Sequence, residues 1–296
     1  MAISLPHIID CTDPEDLLAN WPVAALVQAS DTALCLAVDL DGWLLQGADL
    51  GDTPFELDTD NRIITVNNGG LADVAIARSR YFQHGLTLRT FAALRAAWQS
   101  LRADDALTMH RVDLWPLLNR VLEADGAVMT LRMAYETRKD GDDALWHHAL
   151  GENDSDIAQD YARTLGRTPA ILADGPALTS AFLQWFERDA RVTKCDFETL
   201  AMMDRELADL SFEGRGTLAD GAIRCLAIDP LTNTSYLGSY AAEIAGNPAW
   251  RSIKDDMAAA HFAQIMGDIG SVRVGNLAIR DRKLAARLFP DQLVQA

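Results

Sequence analysis

The spacing of apolar residues divides the chain into a mixed beginning and a helical remainder. "TDPEDLLAN" predicts a helix, with Asp13 as cap, Pro14 at the first helical position and acids facing the positive helix end. Trp21-Pro22 then breaks it. The apolar run "ALCLAVDL" predicts a buried strand and "GWLLQG" a short second one, divided by the Asp41-Gly42 turn. "PFELDTDNRIITV" predicts a hairpin: Phe55 and Leu57 alternate with polar neighbours, "DTDN" supplies the turn, and Ile64 and Val66 return. "NNGG", residues 67–70, closes that strand as a loop.

From about Leu86 the period becomes helical. Phe91, Leu94, Trp98 and Leu101 recur at spacings of three and four, giving a helix near 86–102. Leu117, Val121, Ala124, Val128, Leu131 and Tyr135 give a second, near 116–139, ending at "RKDGDD". Beyond Gly151 nearly everything reads helical: one helix ends at Gly166, one begins at Asp174-Gly175-Pro176, one begins with Asp196 as cap. "NPAWRSIKDDMAAAHFAQIMGDIG" predicts a helix or pair, and "KLAARLF" a short last one. The expected fold is α+β and mostly helical: a small antiparallel sheet or hairpin on a two-helix core, then an all-helical half. A boundary near residue 150 separates 1–150 from 151–296, with no Pro- or Ser-rich linker to mark it.

Charge narrows the partners. A formal charge of -17 and a pI near 4.6 disfavour nucleic acid and anionic membranes, which are gripped through clustered Lys and Arg. There is no signal-peptide pattern at the start and no apolar run of the roughly 20 residues a membrane span needs. A cytoplasmic protein is expected, with Cys11, Cys35, Cys195 and Cys225 as reduced, mostly buried thiols. No G-x-G-x-x-G, G-x-x-x-x-G-K-[ST] or G-x-S-x-G occurs, so neither Gly-rich nucleotide binding nor a serine-hydrolase elbow is supported.

The chemistry concentrates in "FAALRAAWQS" and "LEADGAVMTLRMAYETRKDGDDALW". Many zinc peptidases carry H-E-x-x-H on a helix, where two His one turn apart hold the metal and Glu activates its water. In order of elements and in these segments the chain resembles an uncharacterised bacterial family regarded as gluzincin-like zinc metallopeptidases. The active helix of that family reads like H-E-x-R-H-A-W-Q, and its second helix carries a segment like E-A-D-A. The similarity spans roughly residues 50 to 210. Arg95, Ala97, Trp98 and Gln99 stand where the family has Arg, Ala, Trp and Gln. Ala92 and Ala96 stand at the two His positions, Ala93 at the Glu position, Glu123 at the third-ligand position, with Asp125 after it.

Alanine methyl groups donate nothing to a metal, and one carboxylate cannot hold zinc. Loss of the general base alone removes on the order of 10²- to 10⁴-fold in rate. The resemblance therefore implies a peptidase scaffold without catalytic residues, free of cofactor, that acts as a binding or regulatory module for a peptide or protein. With zinc gone, Glu123 is expected to pair with Arg95 or Arg132. Two rivals remain: an active hydrolase with a rearranged zinc site of His84, His110 and Glu123, and a structural or assembly protein. The adjacent His147 and His148 read as surface residues.

Overall fold

The computed structural model describes residues 17–18, 20–102, 112–167, 174–206, 220–269, 272–274, 277–279 and 287–288. Two compact units divide the chain: residues 1–104, 124–187 and 224–238, and residues 105–123, 188–223 and 239–296. The class is α+β and mostly helical, as the sequence predicts. Among the described residues no helix is long and apolar enough to cross a membrane.

The first unit opens with α1 (Ala24–Gln28) and α2 (Asp31–Asp39). The predicted strand "ALCLAVDL" is thus helix. Ser30 caps it, its Oγ accepting from the Ala33 amide at 3.0 Å, and Thr32, Ala33, Leu36 and Ala37 bury one face at helical spacing. Gly42, at φ +76°, turns the chain into β1 (Leu44–Ala48). The hairpin is present as β2 (Phe55–Asp58) and β3 (Ile63–Asn67), whose turn is fastened by the Asn61 amide and side chain on Asp58. The sheet order is β1-β3-β2, with β1 parallel to β3, so the sheet is mixed rather than antiparallel. Ile64 and Val66 of the central strand are fully buried.

A short helix, α3 (Asp73–Ala77), leads into α4 (Arg80–Arg102), which packs on β2, β3, α2 and α3. It starts six residues before the predicted Leu86. Its buried stripe of Thr87, Phe91, Leu94 and Trp98 follows the predicted period, but Leu101, expected to continue it, is exposed near the helix end. α5 (Trp115–Glu136) supplies residues 115–123 to the second unit and 124–136 to the first. The first unit is completed by α6 (Ala144–Leu150), α7 (Ser155–Leu165), α8 (Asp174–Phe186) and a strand pair, β4 (Ile228–Asp229) and β5 (Thr234–Ser235). Gly166 ends α7, as predicted.

In the second unit, α9 (Asp189–Glu206) packs on α12 (Asp256–Ile269), and Val112, Trp115, Leu200, Met203, Ala258 and Ile265 form its core. Asp196 is no cap: α9 begins at Asp189, and Asp196 is buried in its interior. α10 (Asp220–Leu226) gives residues 220–223 to this unit and 224–226 to the first, and α11 (Tyr240–Gly246) and the pair β6 (Val272–Val274) and β7 (Leu277–Ile279) also belong to the second. The predicted "KLAARLF" helix lies mostly outside the described residues.

Candidate functional site

Within the first unit, α4 and α5 are tied by one carboxylate. Asp125 on α5 takes the Arg95 guanidinium two-pronged, Nε to Oδ2 at 2.6 Å and Nη2 to Oδ1 at 2.9 Å, with both side chains fully buried. Gln99, one turn further along α4, donates to Oδ2 at 2.7 Å, and the Tyr236 hydroxyl donates to Oδ1 at 2.8 Å. Arg95 Nη2 also reaches the Ile228 carbonyl at 2.8 Å, and Gln99 the Leu226 carbonyl at 3.2 Å. Such charge-assisted bonds are the strong class, and breaking a buried pair on one side costs about 3–5 kcal/mol.

Trp98 fixes the outer part of this cluster. Its Nε1 donates to Asp39 at 2.7 Å, and the guanidiniums of Arg95 and Arg102 lie over its ring at 4.6 and 4.2 Å from the centroid. Burial pushes the Asp125 carboxyl above its ordinary value, while Arg95 and Tyr236 pull it down. Burial, and next the Asp125 charge, hold the Tyr236 hydroxyl well above the ordinary phenol range.

These placements decide whether zinc fits. Ala92 and Ala96 are partly exposed and one helical turn apart, and Ala93 is buried. None of the three carries a donor atom. A carboxylate offers about four acceptor sites, and four donors already fill those of Asp125. Glu123 is exposed. Two residues from Asp125 means about 200° around the helix, so the two acids cannot share a face. The carboxylate on Arg95 is therefore Asp125's, where Glu123 was expected, and Arg132 meets Glu136 at 3.1 Å and Asp229 at 2.7 Å. Among the described residues no three His, Cys, Asp or Glu side chains could hold a metal ion. The residues present do not fit zinc at the positions the resemblance implies.

The rearranged site is not assembled either. His110 lies outside the described residues. His84 is buried, and its ring meets that of His148 at 5.5 Å, edge to face; burial, then His148, keep its pKa below the ordinary value. His147 is exposed as expected, but His148 turns inward and is only half-buried. Of the cysteines, Cys195 is buried, Cys35 half-buried and Cys225 exposed; Cys11 lies outside the described residues.

Tyr236 and the carbonyls of Leu226 and Ile228 are the members of the cluster that sequence reasoning missed. Tyr236 is 111 positions from Asp125, and its one signal was chemical: a buried Tyr needs a partner for its hydroxyl.

No curated protein and no solved structure matches the chain. The model of one family does match, over a span that includes α4 from Arg89 onward, all of α5 and β4, and so every member of the Asp125 cluster except Tyr236. Residues 89–231, just under half of the chain, are similar to the family described as "Putative metallopeptidase family (DUF6782)".

Proposed function

We propose that this chain uses a metallopeptidase-type domain to bind polypeptide without cutting it. One observation carries the reading: the acceptor positions of Asp125, which braces α5 against α4, are all filled by Arg95, Gln99 and Tyr236, whereas positions 92, 93 and 96 present only methyl groups. A bracing cluster without donors preserves shape and forfeits metal chemistry, and with it the activated water and the general base. Fold alone does not fix function, so the reading rests on these residues and not on the family description.

The test is zinc analysis of the purified chain combined with a general protease assay, with and without a chelator. The expected result is no proteolysis under either condition, including after incubation with excess zinc. Chelator-sensitive hydrolysis that is lost in Glu123→Ala would favour the rearranged site of His84, His110 and Glu123.

A further inference from the structure

We propose that the outer edge of β1 is a binding site for an extended, positively charged peptide, which adds to the sheet as a fourth strand. This rests on the reading above that the chain binds polypeptide, and it names the ligand class and puts the site on the sheet that precedes residues 89–231. The edge concerned is the one opposite the β2 hairpin.

The hydrogen-bond pattern comes first. Leu44 donates to the Arg62 carbonyl and Ala48 accepts from the Asn68 amide, so residues 44, 46 and 48 face β3 in the parallel ladder. The N–H and C=O groups of Leu45 and Gly47 therefore point away from the sheet, and among the described residues no other hydrogen bond engages them. Unpaired edge groups of this kind are the template for strand addition, in which backbone bonds give affinity and alternate side chains enter pockets.

The second observation is a cleft of about 230 Å³ against this same edge, walled by Leu45, Gln46 and Gly47 on one side and by Trp21, Ile76 and Leu86 among others. Its wall is rigid where it matters, because Trp21 is held by its Nε1 donating to Thr90 of α4 at 3.0 Å. Gly47 is exposed, and it carries no side chain because a Cβ there would come within 2.7 Å of the side-chain amide nitrogen of Asn68. Val74 and Phe82 are exposed on α3 and α4, the helices that give Ile76 and Leu86 to the cleft, and offer apolar surface beside it.

Charge selects the ligand. Asp73 is the charged member of the lining, and the whole chain carries -17. A basic peptide with alternating apolar residues matches this field, and an acidic one is repelled.

The test uses the full chain and two fluorescently labelled short peptides, one alternating Lys with Val and one alternating Glu with Val. Binding is read by anisotropy, and amide shifts at Leu45 and Gly47 by NMR. The Lys-Val peptide is expected to bind and to shift both amides, and the Glu-Val peptide to bind at least roughly tenfold more weakly. N-methylation of alternate peptide nitrogens, which blocks backbone pairing without touching the protein, is expected to weaken binding by roughly tenfold or more. Leu45→Pro removes one outward N–H at an edge position that tolerates proline and is expected to do the same, with an unchanged circular dichroism spectrum as the folding check. Failure of the Lys-Val peptide to bind overturns the proposal, as does binding that ignores both N-methylation and Leu45→Pro. Mass spectrometry of the bound peptide separates the two readings: binding with cleavage defeats the non-hydrolytic function and leaves the strand site standing.

Discussion

Arg95–Asp125 in the first unit and Arg120–Asp196 in the second are both buried, two-pronged pairs that also reach backbone carbonyls. Arg120 takes Asp196 at 2.7 Å through each prong and donates to the Trp250 and Ser252 carbonyls at 2.9 and 3.1 Å. The difference lies on the acid. Asp125 has two further donors, Gln99 and Tyr236, brought from α4 and from beyond β5. Burial pushes both carboxyls above their ordinary value, and charge and hydrogen bonds from Arg oppose it in each. An ordinary helix tie needs only the fork of Arg120. The richer arrangement around Asp125 ties α4 and α5 to the segment around β4 and β5 as well as to each other.

The largest expected effect follows from that difference. Asp125→Ala leaves Arg95 buried without its counter-charge and strips Gln99 and Tyr236 of their acceptor, and is expected to cost about 3–5 kcal/mol, read from urea unfolding. Both arginines keep backbone carbonyls, but Asp196→Ala strips no donor besides Arg120, so its cost is expected at or below the low end, about 3 kcal/mol. Equal losses at the two sites would mean that Gln99 and Tyr236 add nothing, and the contrast between the pairs would fail.

How much of this was legible depended on the range of the interaction. The helices over Arg80–Arg102 and Trp115–Glu136 were visible because their stripes repeat at three and four, and the hairpin because its turn chemistry is local. "ALCLAVDL" was misassigned because a short apolar run carries no period of its own; what decides it is Ser30, whose hydroxyl both caps α2 and donates to Glu136 at 2.6 Å, 106 positions away. Asp196 looked like a cap for a similar reason, since Asp favours helix starts, and only its distant partner Arg120 explains it mid-helix. At the candidate site the motif positions were readable, yet the choice between Glu123 and Asp125 was one of helix face. Which face of α5 meets α4 is set by packing, and the segment "LEADG" alone does not state it.

A smaller effect is expected from Tyr236→Phe. It removes one of four donors to Asp125 while preserving the ring, for a loss of about 1–2 kcal/mol. Its pH dependence is more telling. The folded pKa of Tyr236 is raised, so the stabilisation is complete below about pH 10, the ordinary phenol value, and is lost as pH climbs toward the folded value. Wild type should therefore lose stability on the alkaline side more steeply than Tyr236→Phe. Parallel alkaline limbs in the two proteins would remove the hydroxyl from the Asp125 cluster.

The least perturbing comparison of the two units uses their own thiols, with no substitution. Cys225 in the first unit is exposed, whereas Cys195 in the second is buried, and burial, reinforced by Glu123 and Asp196, pushes its thiol far up. The thiolate is the reactive form, so both access and ionisation protect Cys195. A raised thiol favours folding at pH values below the ordinary one, about 8.5, and that contribution fades as pH rises toward the folded value. With iodoacetamide at pH 8, mass spectrometry should find Cys225 alkylated first and Cys195 only as the chain unfolds. Cys35, half-buried with its Sγ donating to the Pro230 carbonyl at 3.5 Å, should fall between them. Labelling of Cys195 as fast as Cys225 in folded protein would show that α9 opens locally, and the Arg120–Asp196 pair would then be too weak to hold the helix it belongs to.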